Sequence, residues 1–254
     1  MRIGTICMKG IKTVMEDAFF LESNFMGHNL ILGGVFDGHC GSFAANYASQ
    51  KFTTYFKSYL NQGIEKAFEN SYQQITDELA RKDALDSGTT ATTFLIMDNT
   101  IYGANVGDSG AIVITSEGLL KLTKDHRMTN PDEFARVAAK SSIIFQKIKS
   151  RSIYVAGYTT KYGLEPTRSL GDKDYRSAGI IPTPHTFTHR ISDQDIYLIV
   201  ATDGLWDFLN DTQVEILARE IPDPAVLVKE ISKHVFGNFW GNDNLTIIAI
   251  GFKE

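Results

Sequence analysis

Two apolar runs in this chain end on an aspartate. Leu30-Ile31-Leu32-Gly33-Gly34-Val35-Phe36 runs into Asp37-Gly38-His39, and Ile196-Tyr197-Leu198-Ile199-Val200-Ala201 runs into Thr202-Asp203-Gly204. Runs of this composition predict buried strands. A single Asp-Gly after a strand is an ordinary turn pair. Two of them, far apart in sequence, invite a joint account. Other acids stand in similar places. Glu16-Asp17 open a predicted strand, Asp108 interrupts a strand pair in Asn105-Val106-Gly107-Asp108-Ser109-Gly110, and Asp243 opens the last strand. If the central strands lie side by side, their ends share one rim and the carboxylates crowd together. Like charges so placed repel, and some must take up protons unless a cation removes the conflict. The candidate ligands are all oxygens, which favours Mg²⁺, Mn²⁺ or Ca²⁺ over zinc or copper. The number of acids suffices for two ions about 3.5–4 Å apart, an arrangement suited to hydrolysing phosphate esters because it lowers the pKa of a bridging water. Gly38 lets the backbone come close to an ion, which makes its carbonyl a further candidate ligand.

The elements that must position these acids follow from periodicity. Strands are predicted at 2–8, 17–22, 30–36, 92–97, 101–106, 111–115, 196–202 and 245–251. Phe43, Tyr47, Phe52, Phe56 and Leu60 recur at roughly helical spacing, and Ile64, Phe68, Tyr72, Ile75 and Leu79 form a cleaner apolar stripe. The aromatics on both read as core. Asn130-Pro131-Asp132-Glu133 predicts a helix start, and that helix runs to about residue 139. Asp211 and Asp223-Pro224 read as N-caps of two more helices, with Leu227, Ile231 and Val235 on the inner stripe of the second. Residues 140–165 are the least regular part and carry Lys140, Lys147, Lys149, Arg151 and Lys161. They read either as a solvated loop or as a basic flap beside a site for an anionic substrate. Strands grouped between helix pairs do not fit alternating βαβ units. The order predicts an α+β fold, two packed antiparallel sheets with helix pairs on the outer faces, as one domain over residues 1–254.

The chain has 254 residues and a net charge of -5, with 43% hydrophobic and 22% charged residues. That is the composition of a globular protein, with no basic bias pointing to nucleic acid. Cys7 and Cys40 make no disulfide framework and suit a reducing compartment. No run approaches the ~20 apolar residues of a membrane span, and the first residues lack the apolar core of a signal peptide. A cytoplasmic or nuclear protein is the expectation, with no membrane partner and a monomeric state.

The residues resemble a known family. Met15-Glu16-Asp17, Val35-Phe36-Asp37-Gly38-His39-Cys40-Gly41, Ser87-Gly88-Thr89-Thr90-Ala91, Ala104-Asn105-Val106-Gly107-Asp108-Ser109, Leu122-Thr123-Lys124-Asp125-His126, Asn130-Pro131, Thr167-Arg168-Ser169-Leu170-Gly171-Asp172, Ala201-Thr202-Asp203-Gly204-Leu205-Trp206-Asp207 and Asp243-Asn244 occur in the order found in the metal-dependent Ser/Thr protein phosphatases of type 2C. The resemblance covers nearly the whole chain. It implies a four-layer αββα sandwich and hydrolysis of phosphoserine and phosphothreonine in phosphoprotein substrates by a hydroxide bridging two Mn²⁺ or Mg²⁺ ions. Asp37 would bridge the ions. Glu16 and the Gly38 carbonyl would hold one, Asp203 and Asp243 the other. Asp17 would orient bound water, and His39 would protonate the leaving oxygen. A third, weaker ion would use Asp108 and Asp203, with Asp207.

The match departs from the family in three places. Lys12 stands where the family carries a phosphate-binding Arg, keeping the charge and losing the fork. Weaker phosphate binding is expected, by about 1–2 kcal/mol. Ser141-Ser142 replaces a Gly-Gly turn, and Glu165-Pro166 replaces apolar residues. The motifs begin close to the first residue, and no regulatory extension is expected. Two competing readings are a catalytically impaired relative that serves as a binding module, and a two-metal phosphoesterase acting on nucleotides or small phosphates. The full set of Glu16, Asp17, Asp37, Asp203 and Asp243 argues against the first; motif order argues against the second.

Overall fold

The computed structural model describes residues 1–82, 87–140, 144–146, 153–155, 163–238 and 241–253. In chain order the elements are β1 (Arg2–Met8), β2 (Ala18–Phe25), β3 (Leu30–Phe36), β4 (Gly38–His39), α1 (Phe43–Tyr59), α2 (Ile64–Arg81), β5 (Gly88–Thr89), β6 (Ala91–Met97), β7 (Thr100–Val106), β8 (Gly110–Thr115) and β9 (Leu119–Lys121). They continue with α3 (Pro131–Lys140), β10 (Ile144–Gln146), β11 (Ile153–Val155), β12 (Leu170–Gly171), β13 (His185–Arg190), β14 (Asp195–Ala201), α4 (Asp203–Trp206), α5 (Asp211–Glu220), α6 (Pro224–Lys233) and β15 (Leu245–Gly251). One antiparallel sheet has the order β1-β15-β14-β8-β9 and the other β13-β7-β6-β3-β2. A small sheet, β12-β5-β4, lies at the end of β3.

The two large sheets face each other across one core. Ile31, Val35, Phe94 and Ile96 of one sheet pack with Val113, Leu198, Val200, Ile248 and Ile250 of the other. Helices α1 and α2 cover the outer face of the first sheet through Phe52, Phe56, Phe68 and Tyr72. Helices α5 and α6 cover the second through Val214, Leu227 and Ile231. The layers are therefore αββα, as expected. This arrangement also explains the unbroken apolar runs: every residue of β15 is buried, because the strand is central and both its faces are covered. The stripe on α2 behaves as its spacing predicts, with Phe68, Tyr72, Ile75 and Leu79 all buried. The Tyr72 hydroxyl is satisfied inside the core, donating to the Ala104 carbonyl at 2.9 Å beside Thr93 Oγ1 at 3.0 Å. Tyr72→Phe removes these buried hydroxyl hydrogen bonds. It is expected to lower the unfolding free energy by about 1–2 kcal/mol, measurable by urea denaturation.

Several elements differ from expectation. Strand β13 was not predicted. Its sequence, His-Thr-Phe-Thr-His-Arg, is mostly polar because it is an edge strand, paired on one side with β7. Strand β2 runs on to Phe25 through a bulge after Glu22, since Phe25 is buried beside Phe56. Phe43 is not core: it is 47% exposed and stacks on Tyr47, while Ala44, Ala45 and Ala48 supply the buried face of that turn of α1. The cap of α5 is Asn210, not Asp211. Asn210 Oδ1 accepts from Gln213 N at 3.0 Å and Gln213 Oε1 accepts from Asn210 N at 3.0 Å. Asp223 does cap α6, accepting from Ala225 N and Val226 N. Most of the expected flap at about 140–165 lies outside the described residues, including Ser141-Ser142; within it β10 pairs with β11.

Candidate active site

Asp37 and Asp203 come from opposite sheets. Asp37 follows β3, and Asp203 opens α4 directly after β14. Their shared rim is made across the sandwich rather than along one sheet, which corrects the expectation of side-by-side strands. The Asp37 backbone is clamped: its carbonyl accepts from Thr89 Oγ1 at 3.0 Å and Thr90 N at 2.9 Å, and its N–H donates to Thr90 Oγ1 at 3.2 Å. The glycines after both acids have a steric reason. A Cβ on Gly38 would collide with the Glu16 carbonyl, and one on Gly204 with the Asn244 carbonyl. Each Asp-Gly pair thus lets a neighbouring acidic segment, Glu16-Asp17 or Asp243-Asn244, approach against the backbone.

The result is one cavity of about 310 Å³ lined by Lys12, Glu16, Asp37, Gly38, His39, Asp108, Asp203 and Asp243. Asp207 lines it too, so nine of the ten residues singled out in the sequence meet there. The tenth, Asp17, lies behind the wall. It is buried, and its Oδ2 accepts from Thr202 Oγ1 at 2.9 Å and Thr246 Oγ1 at 2.8 Å. Burial pushes its pKa up to about 6, with the two hydroxyls holding it back. Burial also pushes Asp203 up to about 8, and Asp108 adds to the shift. Asp37 is raised well above the usual carboxylate range by burial and by the charge of Asp203. Crowding and burial of these acids thus favour their protonated forms.

Among the described residues, no three His, Cys, Asp or Glu side chains stand ready as a ligand group. The acids are turned onto protein donors. Glu16 Oε1 accepts from Gly41 N at 2.6 Å, Asp243 Oδ1 takes Lys12 Nζ at 3.0 Å and Asn244 N at 2.8 Å, and Asp108 Oδ2 takes Arg127 Nε at 2.6 Å. Burial lowers the Lys12 pKa, but Asp243 outweighs it and the net shift is upward, so Lys12 is charged.

Three contributors were not assigned from the sequence. Asp172 is one. It adopts a left-handed conformation, φ 48°, between Gly171 and a short helical turn at Lys173–Ala178. Its buried carboxylate accepts from His39 Nε2 at 2.8 and 2.9 Å and from Ser169 Oγ at 2.5 Å. Burial alone would lower the His39 pKa; Asp172 reverses this, and the net shift is upward. Asn244 is the second. Its Oδ1 accepts from Glu16 N at 2.8 Å, and its Nδ2 donates to the Lys9 and Val14 carbonyls. It ties the Glu16 segment to the start of β15. Arg127 is the third, reaching Asp108, Asp203 and Asp207 together. Of the three, Asn244 had a local signal, through adjacency to Asp243. The pairing partners Asp172 and Arg127 lie 133 residues from His39 and 76 from Asp203, beyond any periodicity. Trp206 packs against the α5–α6 core, its Nε1 donating to the Ala201 carbonyl at 2.9 Å.

Comparison with known proteins identifies the family. A protein from Saccharomyces cerevisiae, Protein phosphatase 2C homolog 1, is 29% identical over 98% of this chain and 92% of its own length. A Protein kinase and PP2C-like domain-containing protein of Arabidopsis thaliana is also 29% identical, over 97% of this chain. The chain spans only 38% of that protein, and 66% and 50% of two further plant relatives. The solved structure of a serine-threonine phosphatase 2C from Toxoplasma gondii superposes with a TM-score of 0.84 at 21% identity, covering 99% of this chain and 94% of that one. A C. elegans sex determining protein superposes at 0.85 and 22% identity, covering 98% and 64%. At those identities the structural likeness is one of fold. The family model described as Protein phosphatase 2C matches residues 1–236, most of the chain and every acid at the rim except Asp243, and the chain belongs to that family.

Proposed function

We propose that the chain is a metal-dependent protein phosphatase that hydrolyses phosphoserine and phosphothreonine in protein substrates. The observation that carries this reading is the convergence of Glu16, Asp37, Asp203 and Asp243 with one cationic side chain, Lys12, and one histidine, His39, around a single cavity. The donor set is all oxygen, and burial and neighbouring charge raise the pKa values of Asp37 and Asp203, a cost that divalent cations would remove. Asp37 would serve two Mn²⁺ or Mg²⁺ ions, with Glu16 and the Gly38 carbonyl on one side and Asp203 and Asp243 on the other. Such ions supply a nucleophile from water at neutral pH and neutralise charge on the phosphoryl group. Asp17, fixed by Thr202 and Thr246, would orient water on this wall. Lys12 would release Asp243 and pair with the substrate phosphate. His39 commits Nε2–H to Asp172, which leaves Nδ1 to protonate the departing Ser or Thr oxygen. The reading extends to one catalytic domain over 1–254, acting as a monomer in cytoplasm or nucleus. Among the described residues no helix is long and apolar enough to cross a membrane.

One observation favours a second reading. Lys12 Nζ occupies an oxygen of Asp243 that the metal reading needs. A chain that kept this pair would bind phosphoproteins without turning them over. Phosphate release from a phosphothreonine peptide, with Mn²⁺ and with chelator, separates the two. Turnover that requires metal supports the phosphatase; none from a folded protein with any divalent ion leaves the binding module.

The His39–Asp172 pair makes a pH prediction. A general acid must be protonated, so the rate falls as pH rises through its pKa. Asp172 raises that pKa and carries the active form to higher pH. In Asp172→Asn the alkaline limb of kcat should move to lower pH. An unmoved limb would remove Asp172 from the proton-transfer step.

A further inference from the structure

We infer that Arg127 is the resident cation of the outer carboxylates, so that this chain holds two divalent ions and has no room for a third. The inference rests on the two-ion reading above. Arg127 sends a different nitrogen to each of three acids: Nε to Asp108 Oδ2 at 2.6 Å, Nη1 to Asp207 Oδ1 at 3.0 Å and Nη2 to Asp203 Oδ2 at 3.1 Å. Its side chain is 12% exposed. These are the carboxylates at which the sequence resemblance would seat a third ion. A guanidinium cannot be deprotonated in a protein, and its planar fork is suited to several carboxylates at once.

The backbone fixes this placement. His126 N donates to the Gly107 carbonyl at 3.0 Å, the residue before Asp108, and Thr167 N donates to the His126 carbonyl at 2.7 Å. Arg127 itself pairs with Pro166 and accepts from Asn130 N at 2.9 Å. The side chain enters from the far side of the rim, lining a second cavity with Trp206, Asp207 and Lys121 rather than the one around Asp37. It therefore acts through Asp203 and Asp108, as a positioning residue. Lys121, the other cation there, is engaged with Asp125 at 3.1 Å. A third divalent ion needs near-octahedral oxygen at about 2.0–2.1 Å for Mg²⁺. It would have to expel the guanidinium and break all three pairs.

The test counts ions. The full chain, stripped with chelator, is titrated with Mn²⁺, and free Mn²⁺ is read by electron paramagnetic resonance. Wild type should bind two ions at millimolar Mn²⁺, and Arg127→Met should gain one further, weaker ion. In the wild-type background, Asp207→Asn should leave the isotherm unchanged; this second variant alters an exposed acid and decides the matter even if Arg127→Met does not fold. Three ions in wild type, loss of a weak ion in Asp207→Asn, or two ions in a folded Arg127→Met would overturn the inference. No binding by either form would sink the two-ion reading along with it, whereas two ions in both forms sinks this inference alone.

Discussion

Asp203→Asn should abolish turnover while making the chelated protein more stable at neutral pH. Replacing residues that only support metal ligands costs about 10–100-fold, so loss of a proposed ligand itself should exceed about 100-fold in phosphopeptide hydrolysis. The stability effect has the opposite sign. Asp203 has an ordinary pKa of 3.8 in the unfolded chain and about 8 in the fold, raised by burial and then by Asp108. A group whose folded pKa is raised contributes stability that is full below the unfolded value and is lost as pH climbs through the folded one. The chelated wild type should therefore weaken between about pH 4 and pH 8, as the folded state is forced to hold a charge beside Asp37. The amide cannot ionise and escapes this, although it gives up the charge of the pair with Arg127 Nη2. Melting temperatures in chelator at pH 5 and pH 8 decide the point. The gap in favour of the variant should widen at pH 8, and added Mg²⁺ should restore the wild type far more than the variant. A gap that does not change with pH would mean that Asp203 carries no such cost.

Glu133→Ala should destabilise the fold by about 3–5 kcal/mol, the usual result of removing one partner from a buried ion pair. Glu133 is buried near the start of α3 and collects four donors. Its Oε1 takes Arg168 Nε at 3.0 Å and Nη2 at 2.5 Å; its Oε2 takes Arg136 Nη2 at 2.6 Å and Thr167 Oγ1 at 2.7 Å. Burial raises its pKa, but Arg168 and Arg136 more than offset that and bring it to about 2. The contribution is thus present above the ordinary value of 4.5 and is lost as pH falls toward 2. Truncation strands two guanidinium groups with no acid between them. A urea midpoint that moves by less than 1 kcal/mol equivalent would show that water replaces the carboxylate. A Glu133→Gln variant, which keeps the acceptor and loses the charge, should fall between the two.

The sequence makes the layers legible because the apolar pattern is strong where both faces of a strand are covered. Strands β3, β14 and β15 and the stripe of α2 follow directly from it. Strand β13 escapes because an edge strand with one packed face and alternating His, Thr and Arg carries little apolar signal. The α5 cap was displaced by one residue because Asn and Asp are equally good caps, and only the reciprocal bond to Gln213 distinguishes them. At the site, the acids were legible as a set since each ends or begins an apolar run. Their partners were not. His39 with Asp172, Asp203 with Arg127, and Asp17 with Thr246 are pairings across 133, 76 and 229 residues, settled by topology alone.

Asn244 binds Glu16 N across 228 residues, and β1 pairs in register with β15, Met8 against Leu245 and Arg2 against Gly251. This has a consequence for how the protein is made. Strand β1 must wait for β15, more than 200 residues later, before it has a partner, while most other strands can pair with neighbours already synthesised. Closing so long a loop is slow, and it rewards the chain only when the final strand arrives. Glu16 and Asp243 are brought together by that same event. A nascent chain carrying every other element would thus lack the tie that sets half of the rim, and the site should mature only once β15 has been made and has paired.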